Sequence, residues 1–453
     1  MFKKILVANR GEIAIRVIRA CRDMGIISVA VYSDADREAM HANIADEGLC
    51  IGGAMSRDSY LNMNSVITAA KIAEADAIHP GYGFLSENAA FVKMCEDNGI
   101  KFIGPSAESI SMIGNKAQAK TAMIKAGVPV IPGSDGAVYS LLECEEICEK
   151  IGYPIMIKAS AGGGGKGIRR VDNKESLKNA YNLCRAEAQT SFGDDSVYIE
   201  KFIVNPRHIE IQIIADEFGN VIHLFERDCS LQRNHQKIIE ESPSTFVDDD
   251  LRRRMGDAAI SAARISGYVN AGTIEFLVDE DKNFYFMEMN TRVQVEHPVT
   301  ELVTGVDIVT EQIKIAAGEP LGYSQSDIKL LGHSIECRIN AENPDKNFAP
   351  SPGVITVLNI PGGPGVRVDS AAYQGYNIPL YYDSMIAKLI VFGKDRAEAM
   401  ARMRRALVEY HFEGVITNID YHIELLSTEE FQNGKCTNNF LDEYNKKRMA
   451  KGE

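Results

Sequence analysis

At 453 residues the chain has room for about three domains and a large core, and 45% hydrophobic with 25% charged residues is the balance of a soluble globular protein. A formal charge of −14 argues against a phosphate backbone as partner, while a local basic cleft for a small anion stays compatible with it. Nine scattered cysteines without a C-x-x-C pair point to free thiols in a reducing compartment, and no signal-like start or apolar run of about 20 residues occurs, so the expected location is the cytoplasm.

Short apolar runs alternate with helical patterns over the first hundred residues. Residues 5–8, 28–32, 77–79 and 102–103 read as strands, and 12–24, 63–73 and 87–98 as helices, the last with Ser86 as N-cap and Gly99 as its stop. That alternation predicts a parallel sheet with helices on its faces. The first turn, Asn9-Arg10-Gly11-Glu12, lacks G-x-G-x-x-G, so no dinucleotide site is expected there. A second unit begins near Lys116, its helix ending at Gly127 before a proline-bounded turn at 129–132. Residues 133–202 then read as a small α/β module with helices at 141–150 and 176–190.

Within that module Lys158 ends a strand, and a glycine run from Gly162 to Gly165 leads through Lys166 and Gly167 into another strand at 168–171. This is not a Walker A loop, because Gly167 stands where Ser or Thr is required. Nor does a helix follow, as a dinucleotide fingerprint demands. A glycine loop between two strands can instead fold over phosphates, with Lys158 reaching one of them. The competing reading is a plain linker. Residues 198–203 read as a hinge strand whose main chain suits an adenine edge, though taken alone a structural strand is the better reading.

Strands dominate 207–290 around a helix at 251–265, and a helix at 307–317 follows. The charged run 226–241 holds His235 and shows no helical stripe, which suggests a lined cleft. Strands 272–278 and 284–290 flank a polar turn. Glu288 and Asn290, two apart, share a strand face that Glu275 can join, and such hard oxygens suit Mg²⁺ with nucleotide phosphates completing the shell. If 291–298 (TRVQVEHP) is extended, Arg292, Gln294 and Glu296 share one face. A guanidinium and an amide there make a fork for a small planar oxyanion, and the carboxylate could take its proton. A structural salt bridge is the bland alternative. Past Gly332 antiparallel strands are expected, interrupted by a helix at 397–409; Arg338 has no local partner and reads as a surface arginine.

The runs HPGYGFLSEN at 79–88, NRGEIA at 9–14, EMNTRVQVEH at 288–297 and YYDSM at 381–385 together resemble the biotin carboxylases, over essentially the whole chain. The resemblance implies an ATP-grasp fold: a doubly wound amino-terminal domain (1–114), an ATP-grasp domain (115–330) with a mobile lid at about 132–203, and a mixed α+β carboxyl-terminal domain (331–446). It implies that Lys116, Lys158, Gly164, Gly165 and His208 contact ATP phosphates or ribose. Glu200, Lys201, Phe202 and Ile203 would bind the adenine, with Gln232, His235 and Leu277 in the same cleft and Glu275 and Glu288 also meeting the nucleotide. Glu275, Glu288 and Asn290 would hold two Mg²⁺ or Mn²⁺ ions. Lys237, Arg292, Gln294 and the amide of Val295 would bind bicarbonate, with Glu296 as its base; Arg338 would stabilise the biotin enolate and Tyr82 border the biotin pocket. Ala161 stands where many members begin a longer glycine run, and Asn234 where an arginine is common. No Ala-Met-Lys-Met motif is present, so the implied biotin rides on a separate carrier protein, carboxyl transfer belongs to another chain, and the enzyme is expected to be a homodimer serving acetyl-CoA carboxylase. The biotin carboxylase of a pyruvate or propionyl-CoA carboxylase, an ATP-grasp ligase of purine synthesis and a silent scaffold are the alternatives.

Overall fold

The computed structural model describes residues 1–159, 168–192 and 195–451, with every side chain among them except those of 116, 117, 191, 192 and 451. It divides into a larger unit, residues 1–128, 207–276 and 288–453, and a smaller one, residues 129–206 and 277–287.

In the larger unit, β1 (Lys4–Val7), β2 (Ile27–Ser33), β3 (Glu47–Gly52), β4 (Ala77–His79) and β5 (Lys101–Phe102) form a parallel sheet in the order β3-β2-β1-β4-β5. Ile5, Leu6 and Val7 of the central strand are fully buried. A strand covered on both faces reads as a continuous apolar run rather than an alternating one. Strand order reverses between β1 and β4, so the loops after these strands meet at the carboxyl edge, where such sheets bind ligands. Asn9 Nδ2 ties those loops together, donating to the carbonyls of Pro80 and Tyr82 at 2.7 Å each. At Gly81, whose φ is +61°, a Cβ would be strained and would crowd the Asn9 and Ile13 side chains at 3.0 Å. The helix expected at 87–98 spans Ala89–Asp97, and its N-cap is Asn88, not Ser86: the Asn88 side chain accepts from the Phe91 amide. Glu87 therefore stays outside the helix.

The smaller unit holds β6 (Ile155–Ala159), β7 (Ile168–Val171) and β8 (Val197–Lys201), antiparallel in the order β7-β6-β8, with helices Leu141–Ile151 and Lys174–Phe192. Ile155, Ile157, Val197 and Ile199 pack with Cys144 and Cys148 in its core.

An eight-stranded sheet contains β9 (Arg207–Ala215), β10 (Val221–Arg233), β11 (Gln236–Ser242), β12 (Asn270–Val278), β13 (Phe284–Asn290), β14 (His333–Asn340), β15 (Val366–Ser370) and β16 (Met385–Gly393), in the order β13-β12-β9-β10-β11-β14-β16-β15. β10 and β11 join through Asn234 and His235, at φ +49° and +64°. Two successive left-handed residues define the hairpin turn that matches strand twist, and asparagine enters that region more readily than other side chains. The asparagine at 234 is thereby explained. The β10–β11 register slips by one residue between Leu231 and Gln232. Such a bulge re-aims a side chain, here Lys237.

Farther along β11, Glu241 is clamped between His333 Nε2 at 2.8 Å and Arg396 Nε at 2.6 Å. Burial pushes its carboxyl up, but His333 and Arg396 outweigh it and hold it down to about 2. A depressed carboxyl stabilises the fold fully above its unfolded value of roughly 4.3, and that stability is lost as pH falls from there toward 2. The wild-type protein should be more stable than Glu241→Gln by roughly 2–4 kcal/mol at neutral pH. Urea unfolding should show the gap closing as pH drops through the acid range; a constant gap would mean that the Glu241 charge is not its source.

No described helix is long and apolar enough to cross a membrane.

Candidate functional site

One ammonium organises the larger unit's buried polar cluster. Lys237 Nζ donates to Glu210 Oε2 and Glu296 Oε1 at 2.6 Å each, to Glu275 Oε1 at 2.9 Å and to Gln294 Oε1 at 3.2 Å. Burial alone would discharge this lysine, yet Glu210 and Glu296 hold its pKa well above the ordinary value. The effect is reciprocal. Burial pushes Glu275 and Glu296 up, and Lys237 above all brings both below the usual carboxylate range. Glu210 is held well below it by Arg227 and Lys237 against the same burial. Arg227 is fully buried and satisfied: it pairs with Glu210 through Nε and reaches Gln212, Thr300 and Thr273 at 2.8–3.1 Å.

His208 and Gln232 join from β9 and β10. His208 Nε2 lies 3.2 Å from Glu275 Oε2, and Gln232 Nε2 lies 3.0 Å from His208 Nδ1. Burial lowers the His208 pKa, but Glu275 outweighs it and raises it to about 9.

Arg338 is not a surface residue. Its Nε donates to Glu240 Oε1 at 2.6 Å and its Nη2 to Glu296 Oε2 at 3.0 Å. Glu296 therefore carries Lys237 on one oxygen and Arg338 on the other. The expected extended segment is also corrected: residues 291–296 turn, and Glu296 becomes the N-cap residue of helix His297–Thr304. The bend turns Gln294 and Glu296 to Lys237, while Arg292 donates through Nε to Glu87 at 2.9 Å and through Nη2 to Asn290 Oδ1 at 3.0 Å. The three side chains do not share one extended face.

Of the three expected metal ligands, Glu275 and Asn290 are bonded to each other, Asn290 Nδ2 to Glu275 Oε1 at 2.9 Å; Glu288 is exposed two residues before Asn290. All three offer oxygen, the donor set of a hard divalent cation. Two tighter groups, His208-Glu210-Glu275 and Glu210-Cys229-Glu296, bring ligand atoms within 4.8 Å of one another. Lys237 Nζ bonds carboxylates of both groups, so an ammonium already fills the charge role there.

Tyr82 donates through its hydroxyl to Glu12 Oε1. In the smaller unit Lys158 pairs with Glu200 at 2.6 Å, and Lys201 Nζ donates to the carbonyls of Gly152 and Tyr153. The amides of Lys201 and Phe202 bond the carbonyls of Pro132 and Pro154, and Ile203 is buried. Leu277 is half-buried, and His235 is exposed at the hairpin tip. Ala161, Gly164, Gly165 and the Lys116 side chain lie outside the described residues.

Sequence reasoning missed Glu210, Glu12 and Lys388, and gave Arg227 and Glu240 no role beyond their place in the charged run 226–241. Lys388 is fully buried and donates to the Val295 carbonyl at 2.8 Å, with Glu12 Oε1 at 3.2 Å. Its signal was a lysine inside the apolar run of β16, since a charge in such a strand must have a partner.

Residues 1–110 match the model for the biotin carboxylase N-terminal domain, 115–324 that for the carbamoyl-phosphate synthase L chain ATP-binding domain, and 336–443 that for the biotin carboxylase C-terminal domain. The chain is 56% identical to Biotin carboxylase 1 of Bacillus subtilis, over 98% of this chain and 99% of that one. It is 56% identical to a pyruvate carboxylase component of Methanothermobacter thermautotrophicus, over 98% and 90%. A solved dimer of the 2-oxoglutarate carboxylase biotin carboxylase domain from Hydrogenobacter thermophilus, in complex with MgADP, ADP and bicarbonate, is similar at TM-score 0.89 and 51% identity, over 98% of each chain.

Proposed function

The chain belongs to the biotin carboxylase family, ATP-dependent ligases of the ATP-grasp fold, and from that premise we propose that it carboxylates biotin with ATP and bicarbonate. The observation that carries the reading is Glu296, held by Lys237 on one oxygen and Arg338 on the other.

Lys237, Arg292, the Gln294 amide and the Val295 N–H would hold bicarbonate. An anion there competes with Glu296 for Lys237, and loosening that contact raises the proton affinity of the carboxylate at the moment a base is needed. Glu296 then takes the bicarbonate proton, and the anion attacks the γ-phosphate to give carboxyphosphate and ADP. Carboxyphosphate releases CO₂ and phosphate; the phosphate removes the biotin N1′ proton, and the enolate captures CO₂. Arg338 stabilises that enolate beside Tyr82. Two Mg²⁺ or Mn²⁺ ions, held by Glu275, Glu288 and Asn290, would neutralise charge on the phosphates. Lys116, Lys158, Gly164, Gly165 and His208 would meet phosphates or ribose, Glu200 to Ile203 the adenine, and Gln232, His235 and Leu277 the same nucleotide.

The domain division at 114 and 330, the lid at 132–203, the homodimer and the cytoplasmic location belong to this proposal. So do a separate biotin carrier and a separate carboxyltransferase. The acceptor is assigned as acetyl-CoA, for malonyl-CoA synthesis; the 56% identity to a pyruvate carboxylase component favours pyruvate as the second reading. Reconstitution with carrier and transferase chains, offering each acceptor, separates them.

The purified protein should form carboxybiotin from free biotin, bicarbonate and MgATP. ADP release that needs an amine instead of bicarbonate would support another ATP-grasp ligase. Glu288→Gln is expected to lose nearly all MgATP turnover with its unfolding temperature unchanged, because an exposed ligand is lost with its shape retained. Near-normal turnover at saturating Mg²⁺ would remove Glu288 from the metal site.

A further inference from the structure

Glu240 on β11 and Glu336 on β14 are direct partners in the antiparallel register, and both are fully buried. Residues so opposed hold their Cβ atoms roughly 4.5–5.5 Å apart. Glu240 Oε1 accepts from Arg338, but Glu240 Oε2 and both oxygens of Glu336 have no hydrogen-bond partner among the described residues. Two ionised carboxylates facing each other away from water are mutually repulsive and unsolvated, so such a pair retains a proton.

We propose that Glu240 is the positioning residue for Arg338 in biotin carboxylation, and that Glu336 carries the proton of the pair, leaving Glu240 free to hold the guanidinium as an anion. This rests on the enolate-stabilising role of Arg338 proposed above. The geometry supplies the reason. Glu240 and Glu296 both bind the Nε/Nη2 edge of Arg338, which leaves Nη1 to be presented to the substrate.

The groups around the pair are Arg338 and Cys337 on the strand of Glu336, Lys237 on that of Glu240, Cys229 on β10, Lys388 on β16, Glu296 and Tyr82. Of these only Arg338 bonds either carboxylate. Burial lifts Glu336 well above the usual range, with Lys388 opposing it only in part. Burial also lifts Glu240, to about 7 against the pull of Arg338. Below that pH Glu240 gains a proton and loosens its hold; above it the anion holds.

The test is the ratio of carboxybiotin formed to ADP released with free biotin, because ionisations shared by both steps cancel in it. In the wild-type protein the ratio should fall as pH drops through about 7. Glu240→Ala should lower it on the order of 10²-fold, the cost of a misplaced catalytic group. Glu240→Gln, which keeps an acceptor oxygen, should lose about tenfold and show no pH dependence, with the KM for ATP and bicarbonate unchanged in both variants. An unaltered ratio in these variants, or ADP release falling as far as carboxybiotin, overturns the proposal. A wild-type protein that makes no carboxybiotin overturns the function reading instead. Should the Glu240 variants not fold, infrared spectroscopy of the wild-type protein decides: a protonated-carboxyl band at neutral pH, lost in Glu336→Gln, supports the pair, and its absence from the wild-type spectrum refutes it.

Discussion

Replacing Lys237 with methionine is expected to abolish bicarbonate-dependent ATP cleavage, by on the order of 10³-fold, and to destabilise the protein by about 3–5 kcal/mol. The two effects share one cause. Lys237 is the common partner of Glu210, Glu275 and Glu296, all buried. Methionine fills much of the same space but leaves those carboxylates with only Arg227, His208 and Arg338 for compensation. Lys237 is the strongest influence lowering the Glu275 and Glu296 carboxyls against burial, so both must rise when it goes. A protonated Glu275 is a poor metal ligand, and a protonated Glu296 cannot accept the bicarbonate proton. Steady-state ADP release and urea unfolding read the two halves. ADP release near the wild-type rate would show that the ammonium is structural alone.

Arg338→Gln should lose carboxybiotin formation by about 10²–10³-fold, or roughly 3–4 kcal/mol, while slow bicarbonate-dependent ATP cleavage survives. The lost charge is the one aimed at the enolate. Glu296 gives up a single hydrogen bond and keeps Lys237, so its ionisation changes far less than in the Lys237 variant. Arg292→Ala, in contrast, should impair both reactions, because bicarbonate itself is then poorly held. Both products are assayed side by side. If Arg338→Gln loses both activities equally with MgATP binding intact, Arg338 acts in phosphoryl transfer and not on biotin.

How far the sequence could be read depended on the distance between partners. The parallel amino-terminal sheet was legible because its strands are continuous apolar runs between helical stripes. Glu288 and Asn290 could be placed on one face from the period of a strand alone. The segment from Arg292 to Glu296 misled for the same reason: its two-residue spacing mimics a strand, whereas the helix starting at His297 forces a turn. Ser86 was a chemically reasonable cap, but Asn88 lies three residues before the amide that needs one. Arg338 looked solitary because its partners stand 98 and 42 residues away. Glu210, Glu240 and Lys388 were hidden likewise, since a charge in a buried strand reveals its purpose only when the opposite strand is known.

The bond between Lys388 and the Val295 carbonyl has a consequence for the chain as it leaves the ribosome. By the time residue 330 is made, Glu12, Glu240 and Glu296 all exist, while Arg338 and Lys388 do not. β14 and β16 thus bring Arg338 to Glu240 and Glu296, and Lys388 to Glu12. A nascent chain must keep this region hydrated until β14 and β16 arrive, and water can leave only when they dock. Contacts of such high sequence separation are formed late, so closure of the sheet and dehydration of the site should be one event.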